Sequence, residues 1–250
     1  MSKAAAQTSG IVLCSRYAFK PNELGYCGPD EAAGLFEMTL AGQRTRGYEY
    51  LLKHFQTLHP YLSLIAGSMG ARDEFDPAVV QAYWLGAPVA RNISLNRFRN
   101  HFSDSLNLKK KLSRPAFEQL VGKIPAGAQP NHNFHVLNVF TRTGHVTQPH
   151  TVATMDQCRI SWGEVIGVER DHLTVDRRRL IRSHGQLQLN EPELKRVRYR
   201  WQGEALIDPP QLGQTVAIHW GWVCDIINPT QTAGLKYSTS AAIRFHNQSR

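Results

Sequence analysis

Apolar residues recur at three- and four-residue spacing through Tyr48, Leu51, Leu52, Phe55, Leu58, Leu62 and Ile65, which predicts one amphipathic helix that tolerates Pro60. Asp76-Pro77 reads as a helix start, with Asp as the cap and Pro at the first helical position. Val79, Val80, Tyr83 and Trp84 then share a face. Shorter helices are expected over Glu31 to Leu40, Leu95 to Leu106 and Pro115 to Gly122, whereas Phe134 to Thr141 alternates weakly and reads as a strand. Pro125, Gly127, Pro130 and Asn131 mark one turn-rich break and Gly144 to Pro149 another.

Beyond that point the character of the chain changes. Val165 to Val168, Leu173 to Val175, Leu187 to Leu189, Val197 to Trp201 and Val216 to Val223 are short β-type runs separated by Gly, Pro, Asp and Asn. So many short strands in so little chain predict a small barrel, whose closure removes exposed sheet edges. Asn228-Pro229 opens a last helix with Leu235, Thr239, Ala242 and Ile243 as its buried stripe. The expected class is α+β: a mainly helical domain over residues 1–150, then a β-barrel domain with a C-terminal helix over 151–250.

Composition adds little to this and removes much. The 250 residues are 42% hydrophobic and 20% charged, an ordinary globular balance. The formal charge of +9 attracts acidic partners in general. Met1 to Gly10 lacks the pattern of a secretion signal and no apolar run is long enough to span a bilayer, so a cytoplasmic protein without a membrane role is expected. The 4 cysteines, Cys14, Cys27, Cys158 and Cys224, form no Cys-x-x-Cys pair, which argues against a zinc ribbon.

Two segments carry candidate chemistry: Cys158-Arg-Ile-Ser-Trp-Gly-Glu-Val165, and Gly213-Gln-Thr-Val-Ala-Ile-His219-Trp-Gly-Trp222 with Cys224 just beyond. Alone, Cys158 reads more readily as a buried small hydrophobe than as a ligand. Strand alternation puts His219 on a face with Ala217, Gly221 and Val223, where small neighbours leave room for a ligand. Cys224 is expected in the core.

In their order the two segments resemble the HypC/HupF family of hydrogenase assembly chaperones. Cys158, Gly163 and Val165 match that family's first motif, and Gly213, Val216, Ile218, His219, Gly221 and Trp222 its second. The chain departs from the pattern in that Cys158 is internal, Trp162 stands for a proline and Gln214 for an acidic residue. The resemblance implies an OB-type barrel that carries an iron with cyanide and carbonyl ligands. It would hand this fragment to the [NiFe]-hydrogenase large subunit alongside an iron–sulfur scaffold protein. Cys158 would be the primary ligand and His219 a second ligand or proton acceptor, since a thiolate suits low-spin iron and an imidazole can ligate or take the thiol proton. On that view the protein is a metal-cofactor chaperone rather than an enzyme.

Cys14 and Cys27 lie in what reads as an ordered loop ending at Gly28-Pro29, as extra ligands or as structural cysteines. His132, His135 and His145 form a loop cluster without an acidic companion, and they are left out of the expected site. Two other functions fit the same residues. One is a nickel or zinc carrier using the same Cys158–His219 pair. The other is an OB-type nucleic-acid binder using Lys109 to Lys111, Arg177 to Arg179 and Arg182, with Tyr199 and Trp201 as stacking platforms.

Overall fold

The computed structural model describes residues 8–87, 93–139, 146 and 149–248. The described chain is a mixed α+β structure whose N-terminal half is helical. Its helices are α1 (Gly10–Glu23), α2 (Ala32–Ala41), α3 (Arg46–Lys53), α4 (Leu58–Met69), α5 (Pro77–Leu85), α6 (Leu95–Asn100), α7 (Leu108–Lys111), α8 (Arg114–Gly122) and the single turn α9 (His132–Phe134). The helix α10 (Val152–Cys158) leads into the sheet region, and α11 (Pro229–Asn247) follows it.

The helix starts follow local chemistry. Asp76 caps α5 by accepting from the Ala78 N–H, with Pro77 at the first position, as the sequence predicts. The long helix expected from Tyr48 to Ile65 is instead two, α3 and α4, separated at residues 54–57. Pro60 explains why the second begins where it does: in the first turn of α4 its missing N–H costs nothing. The segment around Cys14 is not a loop but α1, which buries Ile11, Val12, Leu13, Cys14, Tyr17, Ala18 and Phe19. A helix apolar on most of its circumference has no polar face to reveal its period. Gly10 lets α1 start hard against the residues that lead into α5, because a Cβ there would meet the Phe75 carbonyl oxygen at 1.9 Å.

The expected strand from Phe134 is helical as far as Val139, and its last two residues lie outside the described ones. α9 passes into a π-helical turn over His135–Val139, and a second π-helical turn, His101–Ser105, continues α6. Asn131 caps α9 by accepting from the Phe134 N–H at 2.8 Å, a start signal that outweighs the weak alternation downstream.

Nine strands follow: β1 (Ser161–Val168), β2 (His172–Arg177), β3 (Leu180–Ser183), β4 (Gln186–Leu189), β5 (Glu193–Arg198), β6 (Arg200–Trp201), β7 (Glu204–Ala205), β8 (Thr215–His219) and β9 (Trp222–Ile226). The main sheet has five strands in the order β1-β2-β5-β9-β8, and β8 also pairs with β1, so the ladder returns on itself. All pairings are antiparallel except β5 with β9, which is parallel. The run from Val216 to Val223, expected as one strand, is the β8–β9 hairpin, turning at Trp220 and Gly221 with φ of 53° and 71°. Two successive positive φ values give the hairpin a turn whose twist matches its strands.

The inner face of this sheet packs Val165, Leu173, Val175, Val197, Val216, Ile218 and Val223 into one apolar cluster. The larger cluster runs from Ile11 in α1 to Phe245 in α11 and takes in Ile160, Leu187, Ala217 and Trp222, so helices and sheet share it. α11 buries Leu235, Thr239 and Ala242 as expected, together with Ser238, Phe245 and His246, while Ile243, expected in the same stripe, is half-buried. No helix among the described residues is long and apolar enough to cross a membrane.

Candidate metal centre

Cys158 does not open a strand; it is the last residue of α10. That short helix is held by a capping box between Thr151 and Thr154 and by the buried Asp156 carboxylate. Asp156 accepts from Arg159 Nε and Nη2 at 3.1 and 2.9 Å, from Arg177 Nη2 at 2.7 Å and from the Leu180 N–H at 2.8 Å. The carboxylate therefore fixes the end of α10 to the β2–β3 corner. Burial alone would raise its pKa, but Arg159, Arg177 and the Leu180 N–H outweigh this and hold it below the ordinary value.

Two further contacts bring the remaining pieces to Cys158. The main chain of Trp220, at the hairpin turn, donates to the Gln157 carbonyl at 2.8 Å. From the helical side, Asn133 clasps Ile160: its Oδ1 accepts from the Ile160 N–H at 2.7 Å and its Nδ2 donates to the Ile160 carbonyl at 2.9 Å. The adjacent His132 donates from Nε2 to the Cys158 carbonyl at 2.7 Å. His132, Cys158 and His219 thus meet, with one ligand atom from each lying within 4.8 Å of the others.

The tautomers follow from these partners. A carbonyl only accepts, so His132 carries its proton on Nε2 and keeps the Nδ1 lone pair, which takes a long 3.3 Å contact from the Tyr83 hydroxyl. By the same reasoning His219 holds its proton on Nδ1, donating to the Tyr17 carbonyl of α1 at 2.8 Å. Its Nε2 is buried without a hydrogen-bond partner among the described residues. A main-chain acceptor behind each ring is what orients a metal-ligating imidazole. Burial pushes the His219 pKa down to about 4, partly offset by the Tyr17 carbonyl and by the nearby Cys158 main chain, and pushes that of His132 well below its usual value, helped by the neighbouring His219. Both rings are therefore neutral at neutral pH, as ligation requires.

The setting is closed. His132, Cys158 and His219 are 6%, 4% and 1% exposed. Trp84 packs on both rings, with centroids 4.7 Å from His132 and 5.7 Å from His219. A cavity of about 40 Å³ adjoins the three and is walled mostly by apolar groups such as Ala18, Phe55, Leu58 and Val136; Cys27, His135 and His150 also line it. The expectation of an accessible spot on a barrel does not hold: the centre lies between the hairpin and the helical half, because Tyr17 of α1 and His132 of α9 both reach it.

Cys158 and His219 are thus brought together, and Cys27 lines the adjoining cavity outside the cluster. Cys14 stands apart; burial raises its thiol to about 12. Cys224 is fully buried, as expected. His132 is the participant that sequence reasoning set aside. Its signal was the i, i+3 spacing with His135, which suits a helix, and the strand expected there hid it. His145 lies outside the described residues.

Of the features that suggested nucleic-acid binding, Lys109 to Lys111 and Arg182 are exposed and the others are engaged within the fold. Arg177 is buried against Asp156, Arg178 and Arg179 pair with Glu191 and Glu193, Tyr199 is buried in the sheet, and Trp201 packs on Phe19 and Phe36.

The model of a family of unknown function, DUF6390, matches residues 6–250, and the chain belongs to that family. The match runs through both halves, no HypC/HupF model matches, and the resemblance to those chaperones is therefore not upheld. No curated protein and no solved structure matches the chain.

Proposed function

We propose that this protein holds one divalent transition-metal ion in a buried centre formed by His132, Cys158 and His219. The observation that carries the reading is the convergence of two neutral imidazoles and a thiol within 4.8 Å, where the buried His219 Nε2 has no hydrogen-bond partner among the described residues. A buried polar nitrogen left unpaired costs free energy that a bound ion would recover. Two imidazoles and one thiolate are a borderline-soft donor set that suits zinc, nickel and cobalt. The helix-end, hairpin and α9 contacts hold all three donors in place, which supports an ion kept in the protein rather than passed on. Iron-fragment delivery to a hydrogenase rested on the family resemblance and is not carried forward. The self-closing ladder of five strands supports reading the sheet as a small barrel of the OB kind.

The test is metal analysis of the purified chain after reconstitution with zinc. One ion per chain is expected, with loss of binding in Cys158→Ser, His132→Gln and His219→Gln. A wild-type chain that retains no ion after gel filtration, or variants that bind as well as it does, overturns the reading.

A further inference from the structure

We propose that the ion in this centre keeps one coordination position open toward the adjoining cavity, and that this position takes a small monoanion. The inference rests on the metal reading above. Among the described residues three protein donors converge, whereas a closed tetrahedral site needs four. Cys27 lines the same cavity but does not belong to the converging group.

Charge decides what fills the gap. A divalent ion with one thiolate and two neutral imidazoles leaves a net single positive charge in a cavity whose walls are mostly apolar. Such a charge is costly to bury unless it is balanced. No carboxylate among the described residues lines the cavity, so a monoanion from solution supplies the balance. Size narrows the class further. The cavity of about 40 Å³ exceeds the roughly 10–15 Å³ that one water needs, which leaves room for an ion with a small ligand and favours small anions over large ones. Cys27, Thr57 and His150 in the cavity lining are half-buried, whereas His132, Cys158 and His219 are buried. Hydroxide is the natural occupant in water and azide a convenient probe.

The full-length protein is loaded with cobalt(II), and its visible spectrum is followed while sodium azide is added. A saturable shift of the d–d bands is expected, together with a single thiolate-to-cobalt charge-transfer contribution. Cys27→Ser is expected to give the same spectrum and the same azide titration. No response to azide, or loss of part of the charge-transfer intensity in Cys27→Ser, overturns the inference while leaving the metal reading intact. The second result would make Cys27 the fourth ligand. A chain that takes up no cobalt overturns both.

Discussion

Replacing Asp156 by Asn tests the physical reasoning that positions Cys158. The substitution keeps the volume but removes the one negative charge among groups that are almost wholly enclosed: Asp156, Arg159 and Arg177 are 5%, 1% and 7% exposed. Arg177 retains a weaker contact with Glu193 at 3.6 Å, and Arg159 retains the Arg178 carbonyl, the Trp162 ring and a neutral amide oxygen, none of which carries a counter-charge. The loss is thus dominated by a guanidinium left buried without its counter-charge, which costs about 3–5 kcal/mol. Against a total stability of about 5–15 kcal/mol the variant is weakened but measurable by urea denaturation. Acid supplies a second readout. The folded-state pKa of Asp156 is lowered below its unfolded value, so its contribution is complete above about pH 4 and is lost as the pH falls through the folded value. The gap between wild type and Asp156→Asn should therefore be constant near neutrality and shrink below about pH 4. A loss under about 1 kcal/mol at pH 7, or a gap that widens in acid, would refute the account.

Asn133→Ala removes both clasps on Ile160 and the 2.9 Å bond to Thr239 of α11, leaving buried main-chain groups unpaired; a loss of about 2–4 kcal/mol is expected by denaturant titration. Gly221→Ala meets no atom within 4 Å but must hold φ near +71°, so a cost of about 1–2 kcal/mol is expected from backbone strain alone, and an unchanged midpoint would show that the turn relaxes. Free zinc at about a thousandfold over its Kd should stabilise the fold by about 4 kcal/mol, seen as a chelator-reversible rise in Tm that Cys158→Ser abolishes.

Much of the fold is legible in the residue pattern, because many elements bury one face or announce their ends. α5 shows its Asp-Pro start, α11 its Asn-Pro start and buried stripe, and the strands their short apolar runs between turn residues. What escapes reading is whatever lacks a contrasting face. α1 is enclosed on most sides, and α10 is too short to show a period; both determine where a cysteine sits. For the centre, the pairing of Cys158 with His219 can be guessed from the two segments. His132 cannot, because its part depends on a capped turn and on a carbonyl far along the chain. The family resemblance failed for a related reason: matching residues at matching spacings say nothing of the helix that carries Cys158.

The centre is built from a turn before the sheet, a helix end and a hairpin tip, and its rings lean on carbonyls from other segments. None of its three donors can find the others until the long-range docking of helices on strands is complete. In kinetic terms such a centre is expected to form late, so that weakening it should quicken unfolding while leaving the folding rate nearly unchanged. A chain partly opened along the seam between α1 and the hairpin would keep most of its secondary structure and still lose the centre first.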